Sequence, residues 1–88
     1  YGEQMTREKL TMIGKAEQKL LDLGFMQVRV RMHGRMARIE VLPQEFERFM
    51  QESIRSCITK AFQEYGFTYV ALDLQGYRTG SMNEGVIL

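Results

Sequence analysis

Arg29 and Arg31 stand two residues apart in a stretch that alternates apolar and polar side chains, Val28-Arg29-Val30-Arg31-Met32. In an extended strand that spacing puts both guanidinium groups on one face, about 7 Å apart. Each guanidinium is a planar fork that can bind phosphate or carboxylate through two parallel hydrogen bonds. The pair is therefore a candidate oxyanion site. The polar loop Gln75-Gly76-Tyr77-Arg78-Thr79-Gly80-Ser81 could add a third arginine, Arg78, and backbone N–H groups, since glycine-rich turns make concave anion nests. The plain alternative is a solvated sheet face on which Glu40 and Asp73 neutralise Arg29, Arg31 and Arg38, because antiparallel sheets often keep one wet face. The residues alone leave both readings open.

Glu17 is the odd carboxylate. It falls within the stripe Leu10, Ile13, Leu20 and Leu21, where a charge needs a partner or a raised pKa. A structural ion pair with an arginine is the plain reading. With Glu40 and Asp73 it could also supply oxygen ligands to a hard cation, Mg²⁺ or Mn²⁺. His33 lies in a turn with no nucleophile or base to place beside it, and reads as solvated. Cys57 falls on an apolar helix stripe and reads as a buried structural residue. The seven methionines are expected mostly in the core. No Ser-His-Asp set, Walker A loop or G-x-G-x-x-G run is present, so no catalytic residue is assigned.

These side chains have to be carried by a small set of elements. Thr6 caps a predicted helix over residues 7–23, with Glu8 in its first turn and Gly24 just past its end. Gly14 inside it costs about 1 kcal/mol relative to alanine and points to close packing against another backbone. Phe25 to Met32 and Met36 to Val41 alternate as strands around His33-Gly34-Arg35, which predicts a hairpin. Pro43 opens a second helix of about 20 residues that ends at Gly66. Phe67 to Leu74 is a third strand, with Val70, Leu72 and Leu74 on its apolar face, and residues 82–88 show no pattern. Leu20-Leu21-Asp22-Leu23-Gly24-Phe25 is echoed by Phe62-Gln63-Glu64-Tyr65-Gly66-Phe67: a helix end, then a Gly-Phe step. The order α-β-β-α-β predicts an α+β, two-layer sandwich, with a three-stranded mixed sheet and two helices on one face.

Composition bounds what such a domain can do. At 88 residues the chain buries only about 60–65% of its unfolded surface, enough for one core. Its 44% hydrophobic and 26% charged residues are ordinary for a soluble globular domain, and no apolar run is long enough to span a membrane. One cysteine excludes a disulfide framework and a cysteine zinc site. Twelve basic against eleven acidic residues give no general pull toward nucleic acid or lipid, and no exposed aromatic platform for stacking bases is evident. The chain opens on Tyr1 with no charged-then-apolar leader and reads as a piece of a longer protein.

Taken together, several strings resemble one family. Leu23-Gly24-Phe25, Val28-Arg29-Val30-Arg31-Met32-His33, Ala37-Arg38-Ile39-Glu40 and Gly66-Phe67-Thr68-Tyr69-Val70-Ala71-Leu72-Asp73-Leu74-Gln75-Gly76-Tyr77-Arg78-Thr79-Gly80-Ser81-Met82-Asn83 are similar to the C-terminal domain of LarE-type, ATP-dependent sacrificial sulfur transferases. These belong to the PP-loop (ATP pyrophosphatase) superfamily. The resemblance covers nearly the whole chain, and Tyr1-Gly2 fits it too. It implies a single C-terminal domain, 1–88, of a longer enzyme whose N-terminal domain uses ATP and Mg²⁺ to adenylylate a carboxylate. Sulfur transfer then serves a nickel-pincer nucleotide cofactor. Neither the phosphate loop nor the sulfur-donating cysteine is in this chain, so the fragment is expected to be inactive alone.

The resemblance further implies that Arg29, Arg31 and Arg78 engage the phosphate of a nucleotide-like substrate. Glu17 and Glu40 match acidic positions that look like metal ligands in the family. Glu47 is the expected third, with Glu45 a neighbouring candidate. A homo-oligomer in the cytoplasm, with no nucleic-acid or membrane partner, is expected. The alternative is a structural oligomerisation module of another PP-loop enzyme, such as a GMP synthase-like one.

Overall fold

The computed structural model describes residues 4–78. Its elements run α1 (Arg7–Asp22), β1 (Val28–His33), β2 (Met36–Val41), a 3-10 turn (Pro43–Glu45), α2 (Phe46–Phe49), α3 (Glu52–Tyr65) and β3 (Tyr69–Leu72). The sheet order is β1-β2-β3, with β1 antiparallel and β3 parallel to the central β2. This is the expected α+β fold with a three-stranded mixed sheet. The expected residues 1–3 and 79–88, among them Tyr1, Gly2, Gly80 and Ser81, lie outside the described residues.

Local chemistry explains the ends of the helices. Thr6 is extended, and its hydroxyl accepts the Lys9 backbone N–H at 3.2 Å. The echoed Gly-Phe steps are two copies of one terminator. Gly24 N–H donates to Leu21 O and Phe25 N–H to Leu20 O; Gly66 N–H donates to Gln63 O and Phe67 N–H to Phe62 O. Both are Schellman closures around a left-handed glycine, and in each the following phenylalanine drops into the core.

The core lies between the helices and one sheet face. Met12, Ala16 and Leu20 come from α1, and Val30, Met32, Ala37, Ile39 and Val41 from the hairpin. Phe49, Ile58, Phe62 and Phe67 complete it with Phe25. Phe62 stacks obliquely on Phe67 at 5.6 Å, and Phe25 on Phe49 at 5.5 Å.

Several expectations need correction. The single second helix is two, because Gln51 is extended (φ −60°, ψ 141°). The break lets Phe49 reach Phe25 while Ile58 and Phe62 cover the sheet. Leu10 and Leu21 are 57% and 46% exposed, since the buried stripe of α1 runs through Met12, Ala16 and Leu20 instead. Gly14 is exposed with nothing within 4 Å of where a Cβ would sit, so no backbone packs there. The first strand starts at Val28, with Phe25 buried ahead of it. The third ends at Leu72, and Leu74 lies in a turn, 82% exposed. Of the methionines only Met12 and Met32 are buried among the described residues; Met5, Met26 and Met50 are exposed. Cys57 is half-buried.

Candidate functional site

The strand register builds the outer face. Arg29 pairs with Glu40 and Arg31 with Arg38 across the hairpin, while Arg38 pairs with Ala71 of β3. Arg29, Arg31, Arg38 and Glu40 therefore share the face turned away from the helices. Two arginines directly opposed would repel, and Glu40 resolves this. Its Oε2 accepts Arg31 Nε at 3.2 Å and Arg38 NH1 at 3.0 Å. Arg38 NH1 also donates to Asp73 Oδ2 at 2.6 Å, and Arg38 Nε to His33 Nε2 at 3.2 Å. His33, expected to be simply solvated, is thus tied into the cluster.

The loop after β3 closes over the other end of this face. Asp73 Oδ1 accepts the Gln75 N–H at 2.9 Å, Gly76 N–H donates to Asp73 O, and Tyr77 N–H donates to Val41 O at 2.7 Å. Tyr77 is thereby set beside Arg29, whose Cζ lies 5.6 Å from the ring centroid. An aromatic on this face was not anticipated; its signal was the fixed spacing from the Asp73-to-Gly76 turn to Tyr77. Arg78 is exposed and close enough to Asp73 to attract its charge. Among the described residues, Arg29, Arg31 and Arg38 face two carboxylates, Glu40 and Asp73, which leaves one positive charge in excess on this face. Among the described residues Arg29 has no carboxylate partner, although Glu40 stands directly across from it.

Asp73 is held below the ordinary aspartate range. The main cause is the hydrogen bond its carboxylate accepts from the Gln75 backbone; Arg38 and Arg78 add to it, while burial works the other way. A carboxylate whose pKa is lower in the folded than in the unfolded state stabilises the fold above the unfolded pKa. That contribution is lost as pH falls through the folded value. Stability is expected to decline on acidification through and below the ordinary aspartate range. Asp73→Asn should flatten that decline in urea melts taken at successive pH values. An unaltered acid limb would mean that Asp73 contributes nothing.

The three expected metal ligands are not brought together. Glu17 is half-buried on α1 and accepts the Val30 N–H at 3.0 Å, covering a donor on the outer edge of β1. Glu40 is engaged with two arginines, and Glu47 is exposed on α2. Glu45 accepts the Met26 N–H at 3.2 Å. No group of three His, Cys, Asp or Glu side chains among the described residues is placed to hold a metal. Arg48 lies over the Phe25 ring at 4.1 Å and donates to Leu23 O, a packing role that spacing did not reveal. No described helix is long and apolar enough to cross a membrane.

No family model matches the chain. It is 46% identical over 83 residues to an uncharacterized protein of Synechocystis sp., covering 94% of this chain and 31% of that one. It is 39% identical over 84 residues to a pyridinium-3,5-bisthiocarboxylic acid mononucleotide synthase of Lactiplantibacillus plantarum, covering 96% of this chain and 30% of that enzyme. The chain thus spans about a third of the length of the curated relatives it matches. Over nearly its whole length it is therefore related to a segment of that synthase.

Proposed function

We propose that this chain is the C-terminal, substrate-binding domain of an ATP-dependent sulfur transferase, and that its outer sheet face holds the phosphate of a nucleotide-like substrate. The observation that carries this reading is Arg29: half-buried, without a carboxylate partner among the described residues, and set against Tyr77. Arg31 commits only its Nε, to Glu40, which leaves its two terminal nitrogens for an anion. Arg78 supplies a third cation at the rim. The domain binds and orients; adenylylation and sulfur delivery belong to the rest of such an enzyme, in the cytoplasmic setting expected for it.

Calorimetric titration with inorganic phosphate and nicotinate mononucleotide tests this. A charge-assisted hydrogen bond contributes roughly 1.5–3 kcal/mol, so Arg29→Ala and Arg31→Ala should each weaken binding about tenfold or more. Unchanged affinity in both variants, or no binding of any phosphorylated ligand by the full-length protein, would overturn it.

One observation favours a second reading, a module for self-association. Leu10 and Leu21 are exposed about three turns apart on one side of α1, with Gly14 open between them. Sedimentation that shows assembly indifferent to phosphate and to both arginine substitutions would support it instead.

A further inference from the structure

We infer that Arg38 is the positioning residue of the arginine face: one guanidinium on the central strand sets both Arg31 and Arg29 without being needed as a ligand of the anion. This rests on the anion-binding reading above and names what organises that site.

The first limb is short. Arg38 NH1 and Arg31 Nε meet on the same oxygen, Glu40 Oε2. The carboxylate is held by Arg38, and it in turn grips Arg31 by the inner nitrogen. The terminal nitrogens of Arg31, the edge suited to two parallel bonds with an oxyanion, have no protein partner among the described residues. Without Arg38, Glu40 is free to turn toward Arg29, its direct cross-strand neighbour, and to compete there with any anion.

The second limb runs through the loop. The same NH1 holds Asp73 Oδ2, and the other oxygen of Asp73 accepts the Gln75 N–H. That bond shapes the turn ending at Gly76, whose N–H returns to Asp73 O, and the next residue is Tyr77. Tyr77 is the aromatic neighbour of Arg29. Arg38 Nε is spent on His33, so the guanidinium is committed on two sides to protein groups. A lysine could not reproduce this, because one ammonium nitrogen cannot reach His33 and bridge two carboxylates from the position of a planar fork.

The test combines phosphate titration with proton NMR of the Arg29 side chain, whose δ protons sense the Tyr77 ring current. Arg38→Gln is expected to weaken phosphate binding about tenfold and to move the Arg29 δ-proton shifts toward free-arginine values. Arg38→Lys, which keeps the charge and guards against a variant that fails to fold, should show the same two changes. Asp73→Asn should move the Arg29 shifts as well and weaken phosphate binding less than Arg38→Gln does, since it releases the loop but leaves Glu40 on Arg31. Combining it with Arg38→Gln should move the shifts no further, because both act on Arg29 through the loop.

Wild-type phosphate affinity in both Arg38 variants would overturn the inference. Weakened binding with unmoved Arg29 shifts would also overturn it, since Arg38 would then be contacting the anion itself. If Arg29→Ala and Arg31→Ala bind phosphate normally, the anion-binding reading fails. If they lose binding while the Arg38 variants keep it, only the positioning role fails.

Discussion

Gly76→Ala is expected to lower the melting temperature by about 10 °C or more and to weaken phosphate binding together with it. Gly76 is buried with φ +80°, a left-handed conformation that costs a side-chain-bearing residue roughly 1–2 kcal/mol. A Cβ there would also stand 2.9 Å from Pro43 Cγ, 3.0 Å from Pro43 Cδ and 3.0 Å from Val41 O. None of these neighbours can give way easily. The proline ring is rigid, and Val41 O is held by the Tyr77 N–H. Crowding of this kind adds roughly 1–3 kcal/mol. The cheapest relief moves the loop off β2, which carries Tyr77 away from Arg29. Thermal melts and phosphate titration of the variant read both effects. A melt like the wild type's would show that the loop has slack which the contacts deny.

Phe62→Ala should have the largest effect on stability. Phe62 is completely buried and lies against Phe67 and Tyr65. Truncating a buried phenylalanine costs about 3–5 kcal/mol, from lost transfer energy and the cavity left behind. Small domains have only about 5–15 kcal/mol in total. The Phe62 carbonyl, which accepts the Phe67 N–H, survives the change, so the loss reports packing rather than the helix cap. Urea denaturation measures it, and a loss below about 1 kcal/mol would contradict the assigned core.

Much of this fold was legible because its signals are local and redundant. Alternation from Val28 to Met32 and from Met36 to Val41 specified the hairpin and hence the face carrying Arg29, Arg31, Arg38 and Glu40. The repeated Gly-Phe step marked both helix ends, since only a left-handed residue followed by an apolar one closes that motif. What periodicity could not supply was choice between neighbouring faces. Leu10 and Leu21 fit a helical stripe as well as Met12 and Ala16 do, and contacts with β1 and α3 selected the latter. The break at Gln51 carries no Gly or Pro, so no local residue announced it. Within the site, the arginine spacing was readable. The roles of Arg38 and Tyr77 were not, because they depend on a segment more than 30 residues further along the chain, and the His33 contact with Arg38 is a side-chain choice that spacing does not announce.

That long-range stitching has a thermodynamic consequence. Arg29 and Arg31 come from β1, Arg38 and Glu40 from β2, and Asp73, Tyr77 and Arg78 from the segment after β3. No single element contains the site, and the unfolded chain does not assemble it. A ligand that binds here is therefore linked to the whole folding equilibrium: at a hundred times its Kd it would raise stability by about 2.7 kcal/mol. Occupancy of the arginine face can then be read from the midpoint of a global melt, with no label near the site and no knowledge of the reaction it serves.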